Sequence, residues 1–134
     1  MHIVLLYAAL LALVFVGLSL RALRMRRRLR IAVGDAGNQA MLRAMRAHAN
    51  FAEYVPISLL LIYFVEATQA SSLFVHALGV CLLVGRVVHA FGVSHVTENY
   101  VYRVVGMTLT LTPIIAAAVR LLFVFARTGA LIGG

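Results

Sequence analysis

IVLLYAALLALVFVGLSL, residues 3–20, is an 18-residue run without a charge, and RALRMRRRLR, residues 21–30, follows it at once. At about 1.5 Å per residue the apolar run reaches roughly 27 Å, enough to cross the hydrocarbon core of a bilayer. A secretory signal carries its positive charges before the apolar stretch and a small-residue cleavage site after it. Here the charges come afterwards, so the segment reads as a retained helix with its N-terminus outside the cytoplasm. Arg21, Arg24, Arg26, Arg27, Arg28 and Arg30 then lie on the cytoplasmic side, next to anionic lipid.

The rest of the chain repeats this pattern. Of 134 residues 63% are hydrophobic, and the charges comprise 12 arginines, no lysine and 4 acids. A water-soluble surface could hardly be covered from that composition, so the net charge of +8 is an orientation signal rather than a nucleic-acid footprint. A span takes about 20 residues, which leaves room for four and for no separate soluble domain. The turn residues GDAGN at 34–38 separate the arginine run from a second helix, TQASS at 68–72 makes an arginine-free outer turn, and residues 92–100 form a second cytoplasmic connection. The sequence therefore predicts one all-α domain over 1–134, an integral membrane four-helix bundle. Its helices cover about 2–28, 39–68, 73–91 and 101–125, with a cytoplasmic loop at about 29–38, Pro113 as a tolerated kink, and both termini outside. Cys81 is the single cysteine, which excludes an internal disulfide and thiolate metal sites.

Polar residues inside a bilayer gather at interiors and cavities. Arg43, Arg46, Asn50 and Glu53 follow spacings of 3, 4 and 3, which at about 100° per residue holds them in one stripe with Tyr54 at its edge. For antiparallel helices joined near 69 and 70, residues whose numbers sum to about 139 share a level. Glu53 meets Arg86 and Asn50 meets His89 by that rule, which predicts an ion pair and, one turn nearer the cytoplasm, an amide beside an imidazole. The ion pair would neutralise two charges that are costly alone, and it could also line a site for a polar ligand. His48 and His89 read either as hydrogen-bonded polar residues or as ligand contacts; bis-histidine haem ligation fits poorly beside an ion pair. His76 and Cys81 read as packing residues on an apolar helix. Tyr102 and Arg103 open the fourth helix on the cytoplasmic side, while Arg120 and Arg127 snorkel at its outer end.

RAMRAHANFAEYVP at 43–56 resembles the helix 2 signature of the MAPEG superfamily, the membrane-associated proteins in eicosanoid and glutathione metabolism. GRVVH at 85–89 resembles the helix 3 motif of its prostaglandin E synthase branch, whereas GDAGN at 34–38 and RVVGM at 103–107 look most like the bacterial branch. The resemblance implies a homotrimer in a bacterial inner membrane, with glutathione as co-substrate bound between subunits near the cytoplasmic face. Its contacts would fall on Arg24, Arg46, His48, Asn50, Glu53, Tyr54 and His89, with Arg86 as partner of the helix 2 glutamate. Arg103 is the leading thiolate stabiliser and thus the catalytic candidate. Val93 replaces the tyrosine one turn after the His89 position, and Arg103 falls about one residue out of register.

These residues suit glutathione, whose two carboxylates and ammonium match arginine forks and a carboxylate, and whose thiol must become a thiolate to attack. The expected activity is a glutathione transferase or peroxidase acting on a lipophilic electrophile drawn from the lipid. A small transporter built around an intramembrane glutamate is one alternative, and a non-catalytic scaffold that kept the bundle is another.

Overall fold

The computed structural model describes residues 3–94 and 100–132, with side chains through residue 128. They form four helices, α1 (Ile3–Leu29), α2 (Gln39–Ala67), α3 (Ser72–Ser94) and α4 (Tyr100–Ile132), and no strand occurs among the described residues. All four are long and apolar enough to cross a membrane.

Local chemistry sets the boundaries. α1 stops where Arg30 enters the left-handed region at φ 55°, and Gly34 and Gly37 take φ 68° and 72° in the loop that follows. One guanidinium nitrogen of Arg26 donates to the carbonyls of Ala32 and Gly34 at 3.4 and 3.0 Å, tying that loop to α1. α2 begins behind Asn38, whose side-chain oxygen accepts from the Met41 amide at 3.0 Å. α3 and α4 run on to Ser94 and Ile132, past the ends at 91 and 125 that the sequence suggested. Gly92 is the reason at the first of these: it packs rather than turns, and a Cβ there would lie 2.7 Å from that of Tyr102. The connection expected at 92–100 is shortened accordingly, and its positions 95–99 lie outside the described residues.

The core runs through the bundle as Leu11, Phe51, Ile62, Val65, Val75, Leu82 and Ala117, all buried. Leu13, Leu73, Ile115, Leu122 and Phe125 are 61–81% exposed, so the outer surface is also apolar, as a lipid-facing bundle requires. α3 and α4 pack closely at Gly85 and Gly106, because small residues let helix backbones come together.

The end of the bundle away from the arginine run holds a contact that sequence reading did not find. The Glu66 carboxylate, at the close of α2, accepts from the backbone amides of Ile3 and Val4 at 2.5 and 3.1 Å. It thereby satisfies orphan donors at the α1 N-terminus and complements the helix dipole. Glu66→Gln is expected to cost about 1 kcal/mol, in the range for helix caps, measured as a lower midpoint of unfolding in denaturing detergent. Beside this contact the Tyr7 hydroxyl bonds His76 Nδ1 at 2.9 Å, so His76 is a satisfied polar packing residue. Arg120 lines a hollow with Ala70, Ser71 and Phe74, which puts it at the same end.

Candidate functional site

The arginine-rich half of α2 projects one stripe towards α3 and α4. Gln39, Arg43, Arg46 and Asn50 recur at spacings of 4, 3 and 4, so they stack along one face. With His89 and Val93 of α3 and Arg103 of α4 they line a cavity of about 220 Å³. Four residues expected from sequence meet here: Arg46, Asn50, His89 and Arg103. Arg43, already read as part of the α2 stripe, joins them, together with Gln39, which extends that stripe by one turn, and with Leu42 and Val93. Val93 contributes its backbone carbonyl, which accepts from Arg43 Nη1 at 3.5 Å.

His89 is 6% exposed and is held from behind by the helix contact: a Cβ on Gly106 would come within 2.5 Å of the His89 nitrogen. Arg103 reaches the cavity from the solvent-exposed start of α4, where its guanidinium carbon lies 6.0 Å from the Tyr100 ring. His89 and Arg103 also line a second hollow of about 370 Å³ that runs along α4 past Val104, Met107 and Leu111. A polar chamber and a largely apolar track thus share these two side chains in their linings.

Arg86 lies next to the cavity and is 1% exposed. Its Nη1 donates to Asn50 Oδ1 at 2.9 Å and to the Asn50 carbonyl at 3.3 Å, Nη2 touches Met107 Sδ at 3.7 Å, and the guanidinium carbon stands 5.6 Å from the Tyr54 ring. The level rule was right that Arg86 and α2 meet, but the ion pair with Glu53 does not form in the chain. Glu53 is exposed and Asn50 takes its place. The sum of residue numbers fixes depth alone; Asn50 and Glu53 differ by about 60° around α2, and an arginine side chain readily spans one turn.

Helical azimuth also separates His48 from the cavity, because two residues correspond to about 200°. His48 points to α1, with Nε2 at 3.1 Å from Ser19 Oγ and its ring stacked on Phe15 at 4.7 Å. Arg24 is exposed on α1, and Tyr54 is half-buried against Arg86. Arg21 closes the same end of the bundle by donating to the Ser94 hydroxyl and, at 3.0 Å, to its carbonyl. The Cys81 thiol bonds the Leu109 carbonyl at 3.2 Å, in keeping with a packing role.

Asn50 carries the largest polar burden near the cavity. Asn50→Leu removes the shortest hydrogen bond of the buried Arg86 guanidinium, leaving it the position 50 carbonyl and Met107 Sδ, and a cost of about 2 kcal/mol is expected in the same unfolding assay.

No solved structure matches the chain. It is 38% identical over 105 residues to the Inner membrane protein YecN of Escherichia coli strain K12, a match covering 78% of this chain and 79% of the relative. The YecN protein of Escherichia coli O6:H1 matches equally, at 38% over the same length. The family model of the MAPEG family matches residues 4–123, which covers α2 and α3, most of α1 and α4, and every residue of the cavity. Four membrane-crossing helices, the α2 stripe and this match agree: the chain is a membrane protein and belongs to the MAPEG family.

Proposed function

We propose that the protein is a membrane-bound, glutathione-dependent transferase or peroxidase that joins or transfers the glutathione thiol to an apolar electrophile. One observation carries this reading: a cavity that gathers Arg43, Arg46 and Arg103 with Asn50 and His89. Guanidinium forks bind the two carboxylates of the tripeptide, and the amide of Asn50 offers further polar contacts. Arg103, at the mouth of the apolar track, stabilises the thiolate by its charge. In conjugation the thiol proton passes to water, the sulfur forms a bond to the electrophilic carbon, and the leaving group departs with its electron pair. With a hydroperoxide the sulfur attacks the terminal oxygen, the alkoxide leaves and takes up a proton, and a second glutathione reduces the resulting sulfenic acid to glutathione disulfide and water.

Arg24 and Glu53 are both exposed, and a homotrimer would bring them to a ligand in a neighbouring subunit's cavity. His48 and Tyr54 already have partners within the chain and would contact glutathione after local rearrangement. By the positive-inside rule the arginine run supports a cavity on the cytoplasmic side of the inner membrane, with the termini outside. The scaffold alternative is less favoured, since Arg103 reaches the cavity despite its shifted register. A transporter needs its acid within a path through the bundle, whereas Glu53 is exposed on it.

The test is turnover by purified protein in lipid nanodiscs, supplied with glutathione and either a chlorinated nitrobenzene or an alkyl hydroperoxide. Glutathione-dependent product formation that falls in Arg103→Ala is the expected result. Well-folded protein that binds glutathione yet turns over no electrophile of a broad panel would favour the scaffold, and proton-coupled uptake in proteoliposomes the transporter.

A further inference from the structure

Arg86 lines neither the cavity nor the track, yet it touches one lining residue of each. Nη1 donates to Oδ1 of Asn50, which lines the cavity, and Nη2 meets Sδ of Met107, which lines the track. The bond to Oδ1, at 2.9 Å, is the shortest of its contacts. Arg86 Nε is buried and makes no hydrogen bond among the described residues. A guanidinium carried to this depth is costly, and an apolar side chain of similar length would hold α2 and α3 together without that cost.

What the guanidinium does there shows on the far side of Asn50. A carboxamide is nearly symmetric in shape, and in an open site it turns to offer either its carbonyl oxygen or its NH2 group. A guanidinium carries donors only, so Oδ1 must face Arg86 and the amide can present only Nδ2 elsewhere. Nδ2 has no hydrogen-bond partner among the described residues and is not enclosed by its neighbours. Asn50 therefore brings a donor to a cavity that Arg43, Arg46 and Arg103 also line. Contact with the cation polarises the amide as well, which strengthens that donor.

We infer that Arg86 is a positioning residue: it locks the Asn50 amide so that Nδ2 is a fixed donor in the cavity for a carboxylate or carbonyl oxygen of the ligand. The inference rests on the glutathione reading and adds a polarity to it. An oxygen of the tripeptide docks at position 50, and its ammonium is turned away from there. Arg86 needs no acid at position 53 for this role and acts on the ligand only through Asn50.

Calorimetric titration of glutathione into the whole purified protein tests this as a double-mutant cycle. Asn50→Ala is expected to weaken binding roughly tenfold, the scale for a hydrogen bond to a charged group. Arg86→Met should weaken it roughly threefold, through an amide that has lost its fixed orientation and its polarising cation. The double variant should then bind within about twofold of Asn50→Ala alone, because the amide through which Arg86 acts is already gone. Arg86→Lys keeps a donor for Oδ1 and should restore most of the affinity that Arg86→Met loses. Asn50→Asp covers the case in which the cycle variants fold poorly. Its carboxylate keeps the bond to Arg86, so the midpoint of unfolding should be no lower than that of the wild type. The atom facing the cavity changes from donor to acceptor, and binding should fall by roughly tenfold or more. Effects that multiply in the double variant, an Arg86→Lys protein as weak as Arg86→Met, or wild-type affinity in Asn50→Asp would each overturn the inference and leave the glutathione reading standing. A folded wild type that binds no glutathione would overturn both.

Discussion

Gly106→Val is expected to be the most damaging single substitution near the cavity. A Cβ at position 106 would stand 2.5–2.7 Å from the nitrogen, Cβ and Cα of His89, and two of those three atoms belong to the backbone. No flexible side-chain end can give way, so α3 and α4 must separate, and His89 moves relative to Arg103 as they do. Overpacking of this kind costs about 1–3 kcal/mol, and rigid backbone neighbours place this case at the upper end. Gly17 is the matched control, because nothing lies within 4 Å of a Cβ built there. Gly17→Val should shift the midpoint of unfolding in denaturing detergent by no more than about 0.5 kcal/mol. Equal effects at the two positions would show that the α3–α4 contact is not what holds His89 in place.

Arg103→Ala carries the second large effect, on chemistry rather than on stability. Arg103 is exposed at the start of α4, and truncating it leaves the core untouched. If its charge holds the glutathione thiolate, removing it raises the thiol pKa of the bound tripeptide, since the nearby cation favours the charged form. Less thiolate is then present at neutral pH, and part of the lost rate returns as the pH rises. Turnover is expected to fall roughly 10²-fold at neutral pH, the scale for losing one donor to a developing or resident anion. The rate profile should move to higher pH, and the ultraviolet absorbance of the bound thiolate should move with it. A uniform loss at every pH with an unshifted profile would instead assign Arg103 to binding alone.

These two residues also show what sequence can and cannot disclose. The four spans were legible because hydropathy over some 20 residues is set by the bilayer, and the turn residues at 34–38 announced the α2 start, where Asn38 caps the helix. The stripe of Arg46 and Asn50 was legible because helical period alone fixes a face. Pairing across helices needs depth and azimuth together, and residue numbers supply depth only. Arg86 was therefore matched with Glu53 when it binds Asn50. His48 was grouped with Asn50 through resemblance, yet about 200° of helix separates them within the chain. Gly92 was read as a break because a glycine before a polar stretch usually is one, whereas its role here depends on Tyr102 of α4, which no local reading can see. Glu66 went unnoticed for the same reason, since the amides it caps lie more than sixty residues away.

The account depends most on the cavity between α2, α3 and α4 being where glutathione binds. Calorimetric titration of glutathione into the purified, folded protein tests this directly, with Arg46→Ala and Arg103→Ala as the variants. The account predicts saturable binding by the wild type, weakened about tenfold by each substitution, as expected for the loss of one charge-assisted hydrogen-bonded contact. A folded wild type that binds no glutathione, or binding that both substitutions leave unchanged, would contradict it.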